Sequence, residues 1–262
     1  MATLVRPDGA KIFYKVVGKD CGKPPLVLVH GWCSKHELWE HQVRYFRNRH
    51  RILLLDRRGH GRSTTSGKAH DAAGHAADIA AVTRAAGLKG VVAIGHAGGA
   101  AGTLEFIRTN PRLVRAGIAV DTFLYPMARL DDPNNAFGML IGPMIEALGG
   151  SKSKSAFRRY YSSYFDAKGD RVAIKQIVAE AAQVADAVKI AELKGLLTDT
   201  AAIADGIRQP ILWLSAGPAA QAYIAKHLKN VGFAQVFGAS HFPQLEQPGQ
   251  TNAMIEAFLA RI

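Results

Sequence analysis

The residues of this chain with chemical potential gather in five short stretches. They are His30-Gly31-Trp32, Asp56 with Arg57 and Arg58, the turn Gly95-His96-Ala97-Gly98-Gly99, Asp121 in GIAVDTF, and His241 in GASHFPQLEQP. A histidine oriented by a carboxylate can take up and return a proton near neutral pH. Backbone N–H groups exposed at a tight turn can hold a developing negative charge. What these stretches lack is a nucleophile: the centre of the glycine-rich turn is Ala97, and a methyl group cannot attack a carbonyl.

A scaffold must bring such distant stretches together. LVLVH (26–30), RILLLD (51–56), GVVAIG (90–95), AGIAVD (116–121) and PILWLSAG (210–217) are continuous apolar runs, the pattern of strands buried on both faces of a parallel sheet. AQVFGASHF (234–242) is expected to hold a sixth such strand, and MATLVRPDGAKIFYKVVG reads as two short strands around an Asp-Gly turn. Helical stretches fall at 37–47, 71–87, 98–109 and 249–261. This alternation predicts an α/β fold with a mostly parallel central sheet flanked by helices. Residues 122–205 break the rhythm with helical segments, among them 172–193, and no strand. They are expected to form a helical cap inserted into a core of 1–121 and 206–262. In an open parallel sheet, ligands bind beyond the carboxyl ends of the strands, where all five stretches fall.

Bulk properties narrow the function. At 262 residues with 48% hydrophobic and 21% charged residues, the chain suits one domain with a lid. No apolar run is long enough to span a bilayer, and the N-terminus lacks a signal-peptide pattern, which predicts a cytoplasmic protein with no membrane partner. Cys21 and Cys33 cannot build a disulfide framework, and no histidine spacing predicts a metal. The net charge of +12 is spread over several segments without interleaved aromatics, so no nucleic-acid partner is expected. SKSKSAFRRYY (151–161) stands as a candidate contact for an anionic ligand. Oligomeric state is left open, a homodimer included.

HGW, DRRGHGRS, GHAGG and GASHFPQLEQP occur in the order and spacing of the α/β-hydrolase superfamily, and the chain resembles that family over nearly its whole length. The resemblance implies that GHAGG is a nucleophile elbow, with Gly95, Gly98 and Gly99 giving it steric room and Ala97 at the nucleophile position. It implies His241 as the base. Many members carry the acid after the fifth core strand, but no Asp or Glu occurs between Asp205 and Glu246, so Asp121 is the expected partner of His241. The Trp32 and Gly98 N–H groups would form the oxyanion hole, and His30, His96, Phe123, Tyr125, Trp213 and Phe242 would line the substrate pocket.

The expected function is hydrolysis of a carboxylic ester or lactone without a cofactor, in a form that binds substrate without turnover because Ala97 replaces the reactive serine. A deliberate Ser→Ala replacement accounts for every other motif being intact. Two alternatives compete. The chain also resembles cofactor-independent dioxygenases of the same fold in HGWC and HFP, which implies a His241/Asp121 dyad that deprotonates substrate. A ligand-binding protein that kept the fold and lost the chemistry is the other.

Overall fold

A computed structural model describes residues 1–126, 136–166 and 169–262. One sheet of eight strands runs in the order β1-β2-β4-β3-β5-β6-β7-β8. The strands are β1 (Ala2–Val5), β2 (Lys11–Val17), β3 (Leu26–Val29), β4 (Ile52–Leu55), β5 (Val91–His96), β6 (Val114–Val120), β7 (Ile211–Ser215) and β8 (Val231–Gln235). β2 pairs antiparallel with β1 and β4, and every other pairing is parallel.

Residue parity explains why the central strands carry no polar alternation. Val27, Val29, Leu53, Leu55, Val91 and Ala93 point to one face, where they meet α2 (Ala72–Ala85) and α3 (Gly98–Thr109). Leu26, Leu28, Ile52, Leu54, Val92 and Ile94 point to the other, against α1 (Glu40–Phe46), α11 (Pro248–Leu259) and part of the cap. Both faces are covered, so both must be apolar. The sixth core strand differs from expectation. It occupies Val231–Gln235, and the chain leaves the sheet after Val236, where Gly238 turns with φ +74° and the Phe237 N–H is taken by Gln250.

Between β6 and β7 lie α4 (Ala136–Gly149), α5 (Ser153–Ser162), α6 (Arg171–Ala181), α7 (Asp186–Gly195) and α8 (Thr200–Asp205). The stretch expected as one helical segment at 172–193 is split into α6 and α7. α8 packs against the sheet side, with Ala201 and Ala204 buried beside Leu104 of α3, so the helices over the other face end before it. α9 (Gln221–His227) and α10 (Pro243–Glu246) complete the chain.

Two features hold the loops that carry the site. The β4 loop is anchored by Asp56, whose Oδ1 accepts the His36 N–H and the His36 Nδ1–H, both at 2.8 Å, while Oδ2 accepts the Arg62 N–H. Arg57, in the same loop, reaches the cap through a buried ion pair with Glu192 of α7 at 2.5 Å. The second feature is the β5–α3 corner. Ala97 sits at φ 48°, ψ −126°, a conformation L-residues rarely adopt. A Cβ on Gly95 would lie 2.4 Å from Thr103 Oγ1, and one on Gly99 would lie 2.2 Å from the His30 carbonyl oxygen. At Gly98 the nearest atom would be 3.4 Å away, an ordinary contact, so only Gly95 and Gly99 are sterically required.

Gly99→Ala is therefore expected to cost about 3 kcal/mol of stability, the upper range for an overpacked core site, whereas Gly98→Ala stays within about 1 kcal/mol. Urea unfolding of the two variants separates them. The neutral ring of buried His60 donates from Nδ1 to the Arg58 carbonyl and accepts the Cys33 N–H at Nε2. Burial pushes its pKa down to about 4. Below pH 6.5 the unfolded chain takes up a proton that the fold refuses, so stability falls with pH, by about 2 kcal/mol from this residue at pH 5. Unfolding free energies measured at pH 7 and pH 5 check this; equal values would contradict it.

Candidate active site

The end of β6 places Asp121 in the left-handed region, φ 42°, with its N–H donated to the Leu214 carbonyl at 2.7 Å. Its carboxylate is thereby fixed toward the loop after β8. Oδ1 accepts the Ala216 N–H at 2.8 Å, and Oδ2 accepts from His241 Nδ1 at 2.7 Å. With the proton on Nδ1, the ring nitrogen left for proton transfer is Nε2. The loop after β7, which has no carboxylate, still contributes the Ala216 N–H to this acid.

His241 is held from four directions. Its N–H donates to the Tyr164 carbonyl at 3.1 Å, and the Tyr164 ring lies 4.6 Å from its own. His96 donates from Nε2 to the His241 carbonyl at 2.7 Å. Burial, and then the neighbouring His241 ring, hold the His96 pKa down at about 3, so His96 is a neutral, positioning imidazole. Glu246 ties the loop together: Oε2 accepts the Ser240 and Phe242 N–H groups, and Oε1 accepts the Asp166 N–H of the cap.

Ala97, on its strained corner, faces the same cavity as His241. Gly98 opens α3, where an N–H has no intrahelical acceptor, and an ideal Cβ on Gly98 would stand 3.8 Å from the Trp32 nitrogen. Among the described residues, neither the Gly98 nor the Trp32 N–H has an acceptor. The two N–H groups thus lie near each other next to Ala97, and donors so placed can hold a developing negative charge. Gly31 permits this approach, since a Cβ there would lie 3.1 Å from that of Ala97.

The cavity has a volume of about 300 Å³. Trp32, His96, Ala97, Gly98, Asp121, Phe123, Tyr125, His241 and Phe242 are among the residues that line it. His30 and Trp213 do not. His30 is fully buried and committed to the loops, donating from Nδ1 to the Gly31 carbonyl and accepting the Arg57 N–H at Nε2. Trp213 points from β7 into a neighbouring cavity on the far side of Asp121. Lys152, Lys154, Arg158 and Arg159 of the basic cap segment are exposed and absent from the walls, so this segment supplies Tyr160 and Tyr161 but no cation. Sequence reasoning passed over Tyr164, Leu196, Ile141 and Glu246. Tyr164 follows the end of α5, four residues after Tyr160 and three after Tyr161, and that spacing was the signal that could have found it.

His70, His75 and Glu192 converge in a buried cluster with metal-ligating side chains. Arg57 Nη2 already stands 2.8 Å from His75 Nε2 and 2.5 Å from Glu192, so a permanent cation fills the position an ion would take.

Known proteins resemble this chain in sequence and in fold. The chain is 37% identical over 133 residues to a non-heme chloroperoxidase of Streptomyces lividans, covering 50% of this chain and 48% of that protein. It is 35% identical over 113 residues to a bifunctional esterase/perhydrolase of Acinetobacter calcoaceticus, covering 42% and 40%. The matches thus span about half the length, or less, of these curated relatives. The fold superposes on the enol-lactonase of Burkholderia xenovorans LB400 with a TM-score of 0.86 at 16% identity, over 99% of this chain and 100% of that one. Residues 26–254 match the alpha/beta hydrolase family model, and with its sheet order and elbow the chain belongs to that family.

Proposed function

We propose that this chain binds the carbonyl of an uncharged carboxylic ester or lactone, as an acyl-transferring hydrolase that lacks its nucleophile. The carrying observation is the Asp121–His241 pair at 2.7 Å, which opens on the same cavity as Ala97 and the Gly98 and Trp32 N–H groups. The names of the esterase/perhydrolase relative and the enol-lactonase neighbour support acyl chemistry. The described walls favour a neutral ligand: among the described residues, apart from Asp121 and the histidines, the lining side chains are aromatic, aliphatic or hydroxyl-bearing.

A serine hydroxyl at position 97 would give its proton to His241 Nε2 and attack the carbonyl carbon. The Trp32 and Gly98 N–H groups would hold the tetrahedral oxyanion, and the imidazolium would return the proton to the leaving alkoxide. Asp121 fixes the tautomer and stabilises the charged ring. With Ala97 no acyl-enzyme forms.

Ala97→Ser is expected to confer turnover of aryl esters and small lactones, with a pre-steady-state burst of alcohol release when aryl ester is in excess. Asp121→Asn in that background should lower kcat by about 10⁴. Equal hydrolysis with Ala and Ser at position 97, or oxygen uptake with a hydroxylated heteroaromatic substrate, would overturn this reading.

A further inference from the structure

Replacing a serine by alanine removes one oxygen and leaves the rest of the proton-transfer apparatus in place. His241 Nδ1 is committed to Asp121, and Nε2 has no partner among the described residues. The backbone of His241 is fixed by Tyr164, His96 and Glu246. The two N–H donors beside Ala97 have no acceptor among the described residues either. A base and two N–H donors therefore open on the same cavity as the Ala97 methyl group. In an acyl-transferring site a hydroxyl would stand between them. Here a carbon atom of the ligand can take that place.

We propose that the chain, with Ala97 as it stands, catalyses proton transfer at carbon: His241 Nε2 removes a proton from the carbon adjacent to the bound carbonyl, and the Trp32 and Gly98 N–H groups hold the enolate oxygen. The step rests on the carbonyl-binding reading above. It needs no co-reactant. The C–H bond breaks as the N–H bond forms, the electron pair moves onto the carbonyl oxygen, and the reverse transfer returns a proton from the imidazolium to the same carbon. The imidazolium proton exchanges with solvent before it returns, so the net result is exchange of that hydrogen. Because one base serves one face of the bound enolate, the configuration at the carbon is kept while the enolate stays bound. An enolate places its charge on the oxygen that a tetrahedral intermediate would charge, so the same two donors serve both.

The walls select the substrate class. Trp32, Tyr160, Tyr161, Tyr164 and Phe242 offer aromatic surface on the His241 side of the cavity. Burial holds the Tyr161 and Tyr164 phenols above their ordinary range, so they remain protonated and His241 is the base. An imidazole is a weak base for an ordinary ester, so the adjacent carbon must be made acidic by a substituent. An aryl group does this and fits those walls. The class is thus lactones, esters or ketones with an aryl group on the carbon next to the carbonyl.

The test uses one enantiomer of 2-phenyl-γ-butyrolactone with the unaltered chain in D₂O. Deuterium incorporation is followed by NMR, configuration by chiral chromatography, and binding by Trp32 fluorescence. Exchange is expected about 100-fold or more above buffer and faster than racemisation, since one base serves one face of the enolate. His241→Gln should return the rate to background with binding intact, and Asp121→Asn should slow it. Ala97→Ser should trade exchange for ring opening. Binding without exchange, exchange that survives His241→Gln, or ring opening by the unaltered chain would each overturn the proposal. Absence of binding by both the unaltered chain and Ala97→Ser would instead remove the carbonyl-binding reading on which it rests.

Discussion

The backbone conformation of Ala97 is the constraint on which the site depends. A left-handed φ costs an L-residue about 1–2 kcal/mol, and it persists only where the surroundings leave no alternative. Here β5 and α3 are pressed together at Gly95 and Thr103, and α3 meets the loop after β3 at Gly99 and His30. Relaxing the corner would pull α3 away from that loop. The Gly98 and Trp32 N–H groups would then no longer converge. The strain is kept although the residue it displays has no reactive atom, so what it secures in this chain is the pair of donors.

Around that corner, each polar partner is positioned by an element distant in sequence. His241 and Asp121 are 120 residues apart. The first is steadied by a cap tyrosine, a histidine of the elbow and a glutamate of its own loop. The second is steadied by the β7 edge. Moving the acid to the end of β6 leaves the loop after β7 with only a backbone donor to give. This is why SAGPAAQAY can be built from small residues around a neighbouring cavity.

Much of this was legible in the sequence because the physics is local. Buried runs such as LVLV and ILLL state that both sheet faces are covered, and glycines two positions either side of Ala97 state that backbones meet there. The apolar run at 234–242 misled because its first residues form an edge strand while its last shape a loop, and apolarity does not distinguish the two. His30 and Trp213 were misplaced for a related reason. A residue at the carboxyl end of a strand can turn toward the ligand or toward the neighbouring loop, and contacts from distant elements decide which. The tyrosine wall depends on how the cap docks, which no short-range pattern encodes. Glu246 acts through N–H groups that have no side-chain signature.

The buried Arg57–Glu192 pair has a consequence for what the cavity accepts. Separating it would strand two charges in an apolar interior, a cost of several kcal/mol, and the Trp32 indole N–H adds a second tie to α7 through the Lys189 carbonyl. That edge of the roof behaves as a fixed wall. Phe123 and Leu140, which border the same cavity, are 62% and 50% exposed. A chamber walled on that side by a buried ion pair keeps its shape there, and what it accepts is decided by fit.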